Sequence, residues 1–105
     1  MITVTAIQPA KAGQNARLEA LMKELTIQVR QEPGCVTFEY FRSRENPDSY
    51  LVLEQYRDQQ ALDVHLKTDY LQRFIPNMME CLAGPPTVVV HDDVFTDLPN
   101  ERKGS

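Results

Sequence analysis

Tryptophan is absent from the 105 residues, and there are only two cysteines, two histidines and four glycines. Cys35 and Cys81 stand in no CxxC pair, so neither a zinc ribbon nor a paired-thiol redox motif is encoded, and buried free thiols are expected. GxGxxG, Walker and HExxH patterns are all missing, which removes nucleotide and zinc-protease chemistry of those types. His91-Asp92-Asp93 resembles a metal cluster at first sight. Neighbouring strand residues point to opposite faces, so only His91 and Asp93 share one, too few ligands for a metal site. Clustered positive charge is also missing. Arg17, Lys23, Arg30, Arg42, Arg44, Arg57, Lys67 and Arg73 are scattered through a chain of net charge −4, and no nucleic-acid surface is expected. No stretch approaches the ~20 apolar residues of a membrane span. The first thirteen residues carry neither a basic region nor a small-residue cleavage site. These absences lead to the expectation of a cytoplasmic protein with no membrane partner.

What is present is a 42% apolar chain, sufficient for one modest core. Ile2–Ile7 alternates as a first strand, with Gln8–Gly13 read as a loop. Gln14–Gln31 carries Leu18, Leu21, Met22, Leu25 and Val29 on one helical stripe, and Pro33-Gly34 stops it. Cys35–Arg44 reads as a second strand, with Val36, Phe38 and Tyr40 on one side. Asn46-Pro47-Asp48-Ser49 is a turn, and Tyr50–Arg57 the returning strand of a hairpin. Asp58 is placed to cap a helix through about Lys67. A second helix, roughly Tyr70–Leu82, contains Pro76, expected to bend it or mark its true start. Thr87–Phe95 is a fourth strand.

This order predicts a single α+β domain over residues 1–95, with a polar tail over 96–105. Its fold is a ferredoxin-like split βαβ: a four-stranded antiparallel sheet with helices on one face. In the third strand Tyr50 and Val52 oppose Leu51 and Leu53, all apolar. In the fourth, Val88 and Val90 oppose Val89. A sheet with one wet face should alternate with polar residues. The second face therefore calls for a cover, and a homodimer packed sheet to sheet is expected.

Chemistry is concentrated between Tyr50 and Phe74. Glu54 lies near the end of the third strand and His65 on the inward stripe of the following helix. Imidazole ordinarily titrates near neutrality, which suits a general base; the alternative is a structural histidine bonded to a backbone carbonyl. Glu54 is either a carboxylate that orients His65 or a salt-bridge partner of Arg42 or Arg44. Phe38, Tyr40, Tyr70, Phe74 and Met78 either line a pocket for a flat aromatic compound or are plain core.

The segments EPGCVTFEYFR and YLVLEQYRDQQALDVHL, with a helix ending before GPP, resemble the antibiotic biosynthesis monooxygenase (ABM) family. That family includes small quinol monooxygenases and an enzyme degrading phosphorylated autoinducer-2. The resemblance spans about residues 2–95. It is most specific at Glu32, Gly34 and Cys35, at the triplet Glu54-Gln55-Tyr56, and at Ala61 and His65. It implies a dimeric α+β barrel with an apolar pocket between sheet and helices. It also implies oxidation by molecular oxygen of an electron-rich phenol or quinol, with no cofactor. Two subtypes do not carry over. Haem-degrading members have an asparagine and a histidine where this chain has Ala6 and Ile75. Polyketide-oxidising members carry a Trp and a Tyr in a region where this chain has Tyr56 and Leu62.

The expected activity is a cofactor-independent monooxygenase acting on a small aromatic or quinol compound, with His65 as base and Glu54 as its orienter. Two alternatives stand beside it. One is an isomerase or lyase using the same pair on a small carbonyl or phosphorylated metabolite, with Lys67 or Arg73 holding a phosphate. The other is a non-catalytic dimer that binds a ligand.

Overall fold

The computed structural model of the chain describes residues 1–99. Seven elements follow in order: β1 (Ile2–Pro9), α1 (Asn15–Val29), β2 (Cys35–Arg42), β3 (Ser49–Tyr56), α2 (Gln59–Leu66), α3 (Asp69–Glu80) and β4 (Thr87–Asp92). Every strand pairing is antiparallel, in the order β2-β3-β1-β4. This is the ferredoxin-like α+β fold. β4 stops three residues short of the expected Phe95. Of the expected tail, residues 100–105 lie outside the described residues.

The apolar stripe of α1 does what its spacing predicts: Leu18, Met22, Leu25 and Val29 are buried. They pack with Phe38, Tyr50 and Val52 of the sheet and Leu71 and Met78 of α3. A smaller cluster gathers Val4, Tyr56, Ala61 and Leu62 beneath α2. The Asp58 carboxylate accepts the Ala61 backbone N–H at 2.9 Å and so begins α2 as anticipated. Pro76 sits inside α3 and does not mark its start. The carbonyl of Gln72, which Pro76 cannot serve, belongs to an exposed turn where water is available.

Three departures from the sequence reading matter for the site. First, β1 runs through Gln8 and Pro9, which pair with Tyr50 and Ser49. A Gln-Pro pair reads locally as loop, but the ladder supplied by β3 overrides that preference. Second, a bulge follows Cys35: Cys35 pairs with Tyr56 and Thr37 with Gln55. Val36 is therefore the extra residue and is 57% exposed, whereas Phe38 is 2% exposed. One inserted residue breaks strict alternation, so the expected grouping of Val36 with Phe38 fails. Third, the helices do not reach across the edge strand. Val88 and Val90 share the helix-facing side of the sheet with Ala6 and Val4, yet they are 58% and 56% exposed.

Candidate active site

Strand alternation sends Tyr50, Val52, Glu54 and Tyr56 of β3 toward the helices. Register sets Glu54 between Val4 of β1 and Phe38 of β2. Above it, α2 presents Ala61, Leu62 and His65 on its buried face. The third component is Glu32, in the turn after α1, where its backbone N–H bonds to Val29 and its carbonyl receives Cys35. Gly34 lets this turn lie against α2. A Cβ at Gly34 would stand 2.3 Å from the Cβ of Ala61.

These elements converge on His65, which is 4% exposed. Its Nδ1 lies 2.9 Å from Glu32 Oε2, and its Nε2 lies 3.6 Å from Glu54 Oε1. The Tyr70 hydroxyl donates to the same Glu32 oxygen, and the Tyr56 hydroxyl donates to Glu54 Oε1 at 2.6 Å. The Tyr56 ring tilts against the imidazole, with centroids 5.0 Å apart. Glu32 Oε1 is buried without a hydrogen-bond partner among the described residues, so its donors converge on Oε2. Glu32 accepts well only from Nδ1–H, which leaves Nε2 as the free lone pair. His65 and Glu54 both line the cavity described below.

Burial raises the Glu54 carboxyl above the usual carboxylate range. The Tyr56 hydrogen bond and His65 oppose this, and Glu32 adds to it. Burial also pushes the Tyr56 phenol well up, reinforced by Glu54. Both tyrosine and thiol neighbours therefore stay protonated at neutral pH, since the Cys35 thiol is likewise raised by burial and then by Glu32 and Glu54. Glu54 binds its proton more tightly folded than unfolded. Its contribution to stability is thus greatest below the unfolded value and is lost as pH rises through the folded one. Glu54→Gln keeps the acceptor for Tyr56 and removes the ionisation. We expect its melting temperature relative to wild type to rise between pH 4 and pH 8, read by paired thermal melts. A difference that is flat or falls over that range would contradict the assignment.

A cavity of about 190 Å³ opens between sheet and helices beside these groups. Its wall is mainly apolar, including Val52, Leu62, Leu71 and Val88. Of the aromatic and methionine candidates, Phe38, Phe74 and Met78 line it together with His65 and Glu54. Tyr70 lies outside its lining and serves Glu32 instead. Tyr40 also lies outside: it stacks on Tyr50 at 5.0 Å and donates to Gln8 Oε1 at 2.7 Å. Neither arginine considered as a Glu54 partner is used that way; Arg42 contacts Glu19 and the Pro47 carbonyl. Two polar participants escaped the sequence reading. Glu32 was visible only as part of the EPGC segment, and its approach to His65 spans 33 residues of chain. Gln8 carries no such signal, because Gln8-Pro9 reads locally as loop.

The antibiotic biosynthesis monooxygenase family model matches residues 1–77. The crystal structure of an antibiotic biosynthesis monooxygenase superposes with a TM-score of 0.84 at 30% identity, covering 90% of this chain and 99% of that one. A structure from Caulobacter crescentus CB15 gives 0.85 at 32% identity, covering 90% of each chain. Among curated sequences, sll1783 of Synechocystis sp. is 27% identical over 90 residues, 86% of this chain. The matched part spans 61% of that protein's own length. With its ferredoxin-like fold, its matched family model and relatives of this identity, the chain belongs to the antibiotic biosynthesis monooxygenase family.

Proposed function

We propose that this protein is a cofactor-independent monooxygenase acting on a single-ring phenol or quinol. The observation carrying the reading is His65 itself: Nδ1 is held by a buried carboxylate while the residue lines a mainly apolar cavity. That is the arrangement of a base with its tautomer set from behind. Nε2 takes the hydroxyl proton, and the resulting imidazolium lies beside Glu54, whose negative form stabilises it. The electron-rich oxyanion then passes an electron to molecular oxygen. The two radicals combine at a ring carbon, and the peroxide O–O bond breaks. Over the whole reaction the ring compound gives up four electrons to one O₂. One oxygen atom becomes a ring substituent, and the other leaves as water with two hydrogens from the ring compound.

Size and charge narrow the substrate. About 190 Å³ is close to the roughly 150 Å³ apolar cavity that takes one benzene ring. It is well below the ~300 Å³ at which sites for drug-sized ligands begin. Among the described residues, no Lys or Arg lines the cavity. Arg73 borders a separate cleft with Leu21 and Tyr70. This favours a neutral compound over a phosphorylated one. The test is oxygen uptake by metal-stripped protein with single-ring quinols, with autoxidation subtracted. Uptake above background supports the reading; none across single-ring and two-ring quinols overturns it.

The functional unit we propose is residues 1–95 as a homodimer. The sheet face away from the helices carries Ile7, Phe41, Leu51, Leu53 and Val89, with Ile7, Phe41 and Val89 all exposed. A second copy packed face to face would remove that apolar area from water. Val89 is 44% exposed, so Val89→Arg leaves the single subunit intact. It is expected to shift light-scattering mass from dimer to monomer. A wild type that already runs as a monomer would contradict the dimer.

A further inference from the structure

Gln8 and His65 are the buried polar side chains of the core among the described residues; Gln8, at 2% exposure against 4%, lines the same cavity. Its amide oxygen is well paired, accepting the Tyr40 hydroxyl at 2.7 Å. Its amide nitrogen is not: among the described residues it meets only the sulfurs of Met78 at 3.2 Å and Met22 at 3.5 Å. Thioether sulfur is a weak acceptor, and a buried amide normally finds oxygen. Thioether sulfur accepts and cannot donate, so the two sulfur contacts fix the amide with its nitrogen toward Met22 and Met78, which line the cavity with it. Tyr40 is held in turn by stacking, with its ring 5.0 Å from that of Tyr50 and 2° from parallel.

Gln8 faces the helices from β1, as does Val4, the partner of Glu54. Four residues of strand separate them, roughly 13 Å. His65 and Glu54 therefore form an accepting end of the cavity and Gln8 a donating end, with apolar wall between. Side chains reaching inward from both ends leave a gap on the scale of one ring with its substituents. From this placement we propose that Gln8 is a specificity-determining residue: its amide donates to a second oxygen on the substrate ring, para to the hydroxyl facing His65. The inference rests on the reading of the cavity as a single-ring substrate site and extends it to 1,4-dioxygenated rings.

The same amide suits the product. As the ring is oxidised, the para oxygen passes from hydroxyl toward carbonyl and becomes the better acceptor. A donor at that end strengthens its bond as the reaction proceeds, which is the useful direction for catalysis.

The test is equilibrium binding without oxygen, so turnover plays no part. Hydroquinone, resorcinol and phenol are titrated into wild type, Gln8→Met and Tyr40→Phe. Wild type is expected to bind hydroquinone about tenfold more tightly than phenol or resorcinol, the worth of one hydrogen bond to a buried donor. Gln8→Met, nearly isosteric and without donors, should bind hydroquinone and phenol alike. Tyr40→Phe keeps the amide and should retain the preference. A measurement on wild type alone guards against a misfolded variant: the Gln8 side-chain amide resonance should move with hydroquinone and not with phenol. Equal preference in wild type and Gln8→Met, an amide signal blind to the para hydroxyl, or a wild type that binds none of the three would each overturn the proposal. Oxygen uptake that persists without any hydroquinone preference would sink the role of Gln8 alone. A Gln8-dependent preference with no oxygen uptake would instead sink the oxidative reading and leave the amide's role standing.

Discussion

Replacing His65 with alanine is expected to lower the rate of substrate-dependent oxygen uptake by about a hundred- to ten-thousandfold, the usual worth of a positioned general base. The reason is specific to this site. Among the described residues that line the cavity, His65 is the one that offers a ring nitrogen as a base, with its Nδ1 already held by Glu32 at 2.9 Å. Glu54 is its cavity neighbour, but the Tyr56 hydroxyl occupies its Oε1 at 2.6 Å, and its negative form is engaged in steadying the imidazolium. It is therefore placed to support His65 rather than to take the substrate proton. The companion variant is Glu32→Gln. It preserves an acceptor for Nδ1 and for the Tyr70 hydroxyl while deleting the charge behind the ring. Its rate should fall less than that of His65→Ala, with KM little changed, because the carboxylate acts on the transition state through the imidazole. Uptake rates for the two variants, normalised to folded protein by circular dichroism, check both. A His65→Ala protein with wild-type uptake would remove His65 from the mechanism. It would leave Nδ1–Glu32 as a structural contact tying the turn after α1 to α2.

The second large effect is on stability. Gly34→Ala is expected to cost about 1–3 kcal/mol, the range for forcing extra volume into a packed core. In a domain near this size that corresponds to roughly 4–8 °C of melting temperature per kcal/mol. Conformational freedom is not the issue. The added methyl would stand 2.3 Å from the Ala61 Cβ and 3.3 Å from its Cα, and neither atom belongs to a flexible side chain. Either α2 retreats or the turn bearing Glu32 does, and each motion separates Glu32 from His65. Activity should therefore fall along with stability, although neither Gly34 nor Ala61 lines the cavity. The double variant Gly34→Ala/Ala61→Gly exchanges the methyl across the contact. It should recover most of the loss, less about 1 kcal/mol for a glycine within a helix. Thermal melts of wild type, both singles and the double form one cycle. A double no more stable than Gly34→Ala would show that the contact is not the cause.

The candidate site was legible in proportion to how local its signals are. His65 announces itself through helical period, four residues after Ala61 and on the stripe facing the sheet. Glu54 announces itself through strand period, two residues after Val52 and two before Tyr56. Each placement follows from neighbours along the chain, so sequence alone brings both to the interface between β3 and α2. Gln8 is the opposite case. A glutamine before a proline carries loop chemistry, and only pairing with Tyr50 keeps it in strand and turns its amide inward. Tyr40 illustrates a third situation. Its strand face was evident, but stacking on Tyr50 and the bond to Gln8 place it behind the cavity wall.

What the chain determines by itself is the element order, the apolar faces of α1 and β3, the cap on α2 and hence the ferredoxin-like sheet with its helices. These rest on periodicity, caps and turns, interactions spanning only a few residues. Tertiary structure alone decides that Glu32, not Glu54, holds His65 Nδ1, that a bulge ejects Val36, and that β4 lies beyond the cover of the helices. Each depends on distance between segments far apart in sequence, and one residue of register or one missing Cβ changes it. A period of two or 3.6 residues specifies which way a side chain faces, but which group it meets there is set by how the layers dock.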